Sequence, residues 1–283
     1  MDFRNSTGVY DNSTKGNFGT ANGGAVFNSS GMYGGAYTFD GVNDYIDINP
    51  AVNDLATTTK GTWSAWIKPG SITGARAIIT FGNGDTTDAI WIANNGGAGD
   101  IRLYDGNVIK WALATTNVVF SINTWTHVAV VQNGTSPVIY IDGVAVAQSF
   151  STSVDKTFWF NNLVMNNGRI GNRFQTASQD IYFNGSIDEV IIFDRALSST
   201  EILAIYNNTA NRLQNNFTSL TDATYNYSAY SIDKAGNLNI SLSDRQITID
   251  TTFPTLTFAN PTTNSSNLSQ NFIQANLSFS DTN

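Results

Sequence analysis

Residues 36–48 read Ala36-Tyr-Thr-Phe-Asp-Gly-Val-Asn-Asp-Tyr-Ile-Asp-Ile48, two short apolar-rich runs on either side of an Asp-Gly-Val-Asn-Asp segment. Aromatic and β-branched residues favour extended backbone, whereas Asp, Gly and Asn favour a tight turn. The pattern predicts a hairpin with a carboxylate-rich tip. Further strand segments follow at short intervals: Thr62–Lys68, Ala77–Phe81, Ala89–Ala93, Ile101–Tyr104, Val108–Ala114, Thr126–Gln132, Val138–Ile141, Val144–Ser149, Leu163–Ile170 and Ser186–Phe193. Many short strands between polar turns predict an all-β sandwich or barrel.

Composition agrees. Only Glu189 and Glu201 are glutamate, leaving twenty aspartates, a bias toward turns and oxygen-ligand loops over long helices. The 41% hydrophobic and 12% aromatic content over 283 residues is enough for a sizeable core. The net charge of −8 rests on 14 basic residues with no basic run, which argues against a nucleic-acid partner. No cysteine is present, so disulfides and thiolate metal sites are excluded. No apolar run approaches the ~20 residues of a membrane span, so direct membrane insertion is not expected, and no secretory signal opens the chain.

One helix is expected. In Ser198-Ser-Thr-Glu201 the serine caps and the glutamate three residues on reaches back, a capping box, and Ile202, Leu203, Ile205 and Tyr206 supply a buried face. Beyond about residue 210 the texture changes. Tyr225–Tyr230 and Arg245–Asp250 alternate as strands around an Asp233-Lys-Ala-Gly-Asn237 turn, and Thr251-Thr-Phe-Pro-Thr255 reads as an extended linker. The expected division is a large domain over 1–210, a partial module over 211–252, and over 253–283 a linker with the first strands of a following module, Leu256–Ala259 and Phe272–Phe279. A sandwich of immunoglobulin size needs ~100 residues, so the chain reads as a segment of a longer protein.

Five motifs in order, Tyr37–Tyr45, Thr62–Ile67, Asn123–Ala129, Ile139–Gly143 and Gly185–Leu197, resemble the successive signatures of laminin-G-like domains of the concanavalin A-like lectin and glucanase type. The likeness spans about residues 1–207. It implies a two-sheet antiparallel jelly-roll sandwich with one short C-terminal helix, typical of extracellular or cell-surface proteins. The segments around Asp233–Asn237 and Asp250–Pro254 are similar to immunoglobulin-like repeats of bacterial and archaeal surface proteins.

Two candidate sites follow. Asp40, Asn43 and Asp44 crowd one turn with oxygens suited to a hard cation, and the resemblance places the first and last strands side by side, bringing Asp188 near that turn. The expected metal set is Asp40, the Gly41 carbonyl, Asp44 and Asp188 around a structural Ca²⁺; the competing reading is that these residues only make the turn. For a sugar, Trp91, Tyr104, Asp105, Asn107 and Trp111 lie on adjacent strands and their turn, against the alternative that the tryptophans are core, as expected for Trp63, Trp66 and Trp125.

Catalysis is not expected. His127, the sole histidine, has no activating partner in its own strand. Glucanases of this architecture carry a Glu-x-Asp-x-(x)-Glu strand, whereas Glu189 and Glu201 sit on a strand and a helix and Asp188 and Glu189 point to opposite faces. Twelve Asn-x-Ser/Thr sequons occur, six of them after residue 215; Asn216, Asn226, Asn239, Asn264 and Asn267 are candidate glycosylation sites, or else bare polar surface. The function expected is non-catalytic recognition or adhesion through a glycan or a cell-surface protein. The alternatives are a structural spacer or an accessory domain of a glycan-active enzyme.

Overall fold

Most of the strand periodicity is realised in a computed structural model that describes residues 8–175, 178–210, 219–228, 230–232, 238–240, 245–258 and 277–280. The chain forms two units, Met1–Gln214 and Asn215–Asn283. In chain order the first contains β1 Thr20–Asn22, β2 Val26–Asn28, β3 Ala36–Asp40, β4 Tyr45–Asp47, helix α1 Ala51–Leu55, β5 Gly61–Pro69, β6 Ala75–Gly82, β7 Ala89–Asn95, β8 Ala98–Asp105 and β9 Val108–Thr115. There follow β10 Thr126–Gln132, β11 Pro137–Ile141, β12 Val144–Ala145, β13 Gln148–Ser153, β14 Asn167–Ile170, β15 Arg173–Gln175, β16 Ser178–Asp180, β17 Asn184–Phe193 and helix α2 Ser199–Ala210.

These strands build two antiparallel sheets, one of eight strands in the order β1-β4-β14-β6-β7-β8-β9-β13 and one of seven in the order β12-β11-β10-β5-β17-β3-β2. The jelly-roll sandwich expected from the sequence is the fold. Side chains between the sheets form one core in which Trp63 meets Phe81, Trp159 and Phe160 at ring distances of 5.4, 5.5 and 5.8 Å. Trp159 and Phe160 come from the loop before β14, around a single 3₁₀ turn at Phe160–Asn162.

The opening stretch is not a hairpin. β3 pairs with β17 and β2, whereas β4 pairs with β1 and β14, so the chain crosses from one sheet to the other at Gly41–Asp44. Phe39 and Ile46 then both bury in the core, at 1% and 0% exposure. The two strands thus line the shared core from facing sheets, as in a sandwich whose inner faces interdigitate. Likewise Val144–Ser149 divides between β12 and β13, one in each sheet, and within Leu163–Ile170 the strand begins only at Asn167.

Central strands of the seven-stranded sheet are apolar on both faces because both are covered. Trp63, Ala65 and Ile67 face the inter-sheet core. On the other face Ala129 and Val131 pack beneath Leu197 and Ile202, where α2 lies across the sheet. The capping box forms: Glu201 N–H donates to Ser198 Oγ at 3.3 Å and Ser198 N–H to Glu201 Oε2 at 2.8 Å. Leu203, expected in the buried face, is 40% exposed.

In the second unit, β18 Ala223–Tyr227 pairs with β21 Arg245–Ile249, β19 Tyr230–Ile232 with β20 Leu238–Ile240, and β22 Thr255–Phe258 with β23 Leu277–Ser280. The expected turn at Asp233–Asn237 lies outside the described residues, as do Asn216, Asn264 and Asn267. Asn226 is exposed on β18 and accepts a hydrogen bond from Gln246 at 3.1 Å; Asn239 is on β20.

Candidate functional site

The Asp40–Asp44 corner is tied by its own backbone. Asp40 Oδ1 accepts from Val42 N–H at 2.7 Å and Asn43 N–H at 3.3 Å, and Asp44 Oδ2 accepts from Asp40 N–H at 2.8 Å. Gly41, at φ 83, takes a backbone conformation that side chains disfavour, and its carbonyl accepts from the Arg76 guanidinium at 3.5 Å. Burial, with the adjacent Asp40 charge, raises the Asp44 carboxyl above its usual range. Asp44 Oδ1 is buried without a hydrogen-bond partner.

Asp188 is not at this corner. The β17–β3 register pairs Asn184 with Asp40 and Ile187 with Tyr37, so Asp188 lies about 13 Å further along the strand at ~3.3 Å per residue. Its oxygens accept from Tyr33 N–H at 2.9 Å and Glu189 N–H at 2.7 Å, and burial raises its carboxyl to about 7. The expected four-residue metal set is therefore not brought together: one carboxylate is remote and the Gly41 carbonyl already faces a cation. No group of three or more candidate metal-ligand side chains occurs among the described residues.

The expected sugar set also divides. Trp111 is fully buried, paired opposite the core residue Leu103, with its indole N–H donating to the Phe158 carbonyl at 3.2 Å. A β-bulge between Leu103 and Tyr104 changes the register of β8 on β9 at this point, which spacing alone did not show. Trp91 and Tyr104 do meet, on the outer face of the eight-stranded sheet, stacked at 5.1 Å and 16°. Arg173 lies over the Trp91 ring at 4.6 Å, so Trp91 is only 4% exposed. Asp105 pairs with Lys110 at 3.1 Å, and Asn107 accepts from Thr87 at 3.2 Å at the β8–β9 turn. Trp125, expected in the core, is partly exposed.

The same outer face carries groups the sequence pattern did not flag. The β15–β16 hairpin lies over β6, with Thr80 Oγ1 donating to the Asn172 carbonyl at 2.8 Å. Arg173 forks onto Asp180 at 2.9 and 2.6 Å, and Arg102 onto Asp100 at 3.0 and 2.8 Å. Arg169, on β14, sits between the Tyr45 and Phe174 rings at 4.2 and 5.3 Å, with Asp47 at 3.7 Å. Its Nε and Nη1, and Oδ1 of both Asn167 and Asn172, are buried without hydrogen-bond partners. The signal available was the density of Asn and Arg in Asn166-Asn-Gly-Arg-Ile-Gly-Asn-Arg173; the strand expected over Leu163–Ile170 covers part of it, but the strand pattern does not say what Arg169 faces.

His127 does have a partner: Ser64 Oγ on β5 lies 2.8 Å from its Nε2. The pair is buried beneath Tyr206, burial lowers the imidazole to about 4, and Nδ1 has no hydrogen-bond partner. Asp142 bonds the His127 backbone N–H rather than the ring, so neither an orienting acid nor an opening for substrate is present among the described residues. Glu201 is engaged in the cap and with Arg195 at 2.7 Å, which holds it down to about 2. Glu189, at φ 46 in a β17 bulge, lines a cavity of about 460 Å³ with Asp11, Lys15, Asp54 and Asp194. There Asp11 accepts three hydrogen bonds from Ser13 and Asn17, while Asp54 meets Asn17 and Lys15.

The antiparallel two-sheet sandwich is the architecture that the lectin and glucanase resemblance implies. Residues 40–203 match the profile of the concanavalin A-like lectin/glucanases superfamily, more than half of the chain, and the chain belongs to that superfamily. No match is found among curated proteins. Similar solved structures include the CBM40 module of the Ruminococcus gnavus IT-sialidase, with TM-score 0.53 and 16% identity over 60% of this chain and 96% of that one. The receptor-binding domain of a botulinum neurotoxin C/D mosaic serotype gives TM-score 0.54 and 17% identity over 72% and 49%. The NanB sialidase of Streptococcus pneumoniae, a K499G mutant, gives 0.53 and 16% over 74% and 36%.

Proposed function

We propose that this chain is a non-catalytic glycan-binding module whose ligand face is the outer face of the eight-stranded sheet. The observation that carries this is the concentration there of ring faces and forked polar groups, Tyr45 and Phe174 about Arg169 and Tyr104 beside Trp91, on strands fixed by the core behind them. Saccharides are recognised by flat apolar surfaces bordered by a few placed hydrogen-bonding groups, and rigid strands hold such groups better than loops. One solved structure of the CBM40 module holds α2,3-sialyllactose, which supports a glycan as the ligand class. The buried Ser64–His127 pair and the occupied Glu201 support a non-catalytic role.

Calorimetric titration of the full chain against neutral and acidic oligosaccharides found by glycan array tests this. Tyr45→Ala is expected to weaken binding roughly tenfold, the loss of one ring contact. An array with no bound glycan, or binding indifferent to Tyr45→Ala and Tyr104→Ala alike, rejects the face. We also place the module outside the cell, a reading supported by its sequon-rich second unit; recovery of the native protein from the cytoplasmic fraction alone rejects it.

A further inference from the structure

We infer that Arg169 makes this face selective for saccharides bearing a carboxylate; the inference rests on the glycan-binding reading and names the ligand class. Arg169 is 7% exposed, yet Nε and Nη1 have no hydrogen-bond partner, and its nearest carboxylate, Asp47, stands at 3.7 Å, beyond hydrogen-bond length. A buried guanidinium left so is costly, because its N–H groups have lost water without gaining acceptors. The other arginines of this face show the contrast: Arg102 and Arg173 each fork onto an aspartate at hydrogen-bond distance.

The surroundings hold the side chain in place without satisfying it. Tyr45 and Phe174 flank the guanidinium plane at 4.2 and 5.3 Å, which restrains its orientation while leaving its N–H groups unbonded. Both rings are themselves partly exposed, so the guanidinium lies at the border of the solvent-facing surface. Asn167, two residues before Arg169 on the same face of β14, adds an unbonded Oδ1 suited to a ligand hydroxyl. The acceptor that best meets a fixed guanidinium is a carboxylate, whose charge-assisted bonds are roughly twice as strong as neutral ones.

The test titrates the full chain with 3′-sialyllactose and digalacturonic acid, each beside its carboxyl-reduced counterpart. Wild type is expected to favour the acids by roughly tenfold. Arg169→Gln and Arg169→Lys are expected to bring the ratio close to one, with near-UV circular dichroism unchanged, and Asp47→Asn to raise it by removing the competing carboxylate. Equal binding of acid and reduced forms by wild type, or a preference that survives Arg169→Gln, overturns the inference and leaves glycan binding standing. If both Arg169 variants misfold, a ratio unchanged in Asp47→Asn overturns it. Absence of binding to any saccharide rejects the underlying reading itself.

Discussion

The two sheets show opposite outer faces. That of the seven-stranded sheet is closed: α2 lies on it, Trp66 stacks on Tyr206 at 5.6 Å and 23°, and His127, Trp66 and Asp188 form one cross-strand row. Over the outer face of the eight-stranded sheet lies, among the described residues, the short β15–β16 hairpin, and this face keeps forked ion pairs, partly exposed rings and an unsatisfied guanidinium. A face sealed by a helix uses its side chains for stability. A face covered by a hairpin retains polar groups that folding has not paired, and those are the groups a ligand meets.

The contrast is tested most severely by Trp66→Ala, which empties the closed face: a loss of about 3–5 kcal/mol is expected in denaturant unfolding, without loss of saccharide selectivity. Next come the two buried titrating groups of that row. Asp188 is raised from 3.8 to about 7, so it favours the folded state in its protonated form, and its contribution is lost as pH rises from about 4 to 7. In Asp188→Asn, stability relative to wild type should therefore improve across that window, by roughly 4 kcal/mol at most; a pH-independent difference contradicts the assignment.

His127 works in the other direction. Lowered from 6.5 to about 4 by burial, it favours folding while neutral, and its contribution falls as pH drops from about 6.5 toward 4. His127→Gln should flatten the acid side of the stability profile by roughly 3 kcal/mol at most. The smallest expected effect on stability belongs to the open face, where Tyr104→Ala should cost about 1 kcal/mol or less while measurably weakening saccharide binding. A Tyr104→Ala loss as large as that of Trp66→Ala would erase the distinction between the faces.

Strand positions were legible because alternation along a strand is a local property: Thr62–Lys68, Thr126–Gln132 and Ser186–Phe193 each fall within a strand of the structure. The capped helix was legible for the same reason, since Ser198 and Glu201 are three residues apart. The site was much less so. Trp91 and Tyr104 do share a face, but Trp111 lies on the opposite one, because a bulge alters pairing without marking the sequence. Adjacency of the first and last strands does not bring Asp188 to Asp40, because the register pairs Asn184 with Asp40 and Ile187 with Tyr37.

By itself the sequence determined the all-β class, the capped helix, the absence of thiol chemistry and of a strand-borne glutamate pair, because each depends on residue identity or short spacing. Only the tertiary structure decided that Asp40–Asp44 turns a corner between sheets, that Ser64 reaches His127, and that Arg169 is enclosed by Tyr45 and Phe174 without a hydrogen-bonded acid. Those facts join residues up to 129 positions apart, Tyr45 to Phe174, and depend on which strands pair and in what register. Pairing is settled by the packing of the whole core, and no short stretch of the chain encodes it.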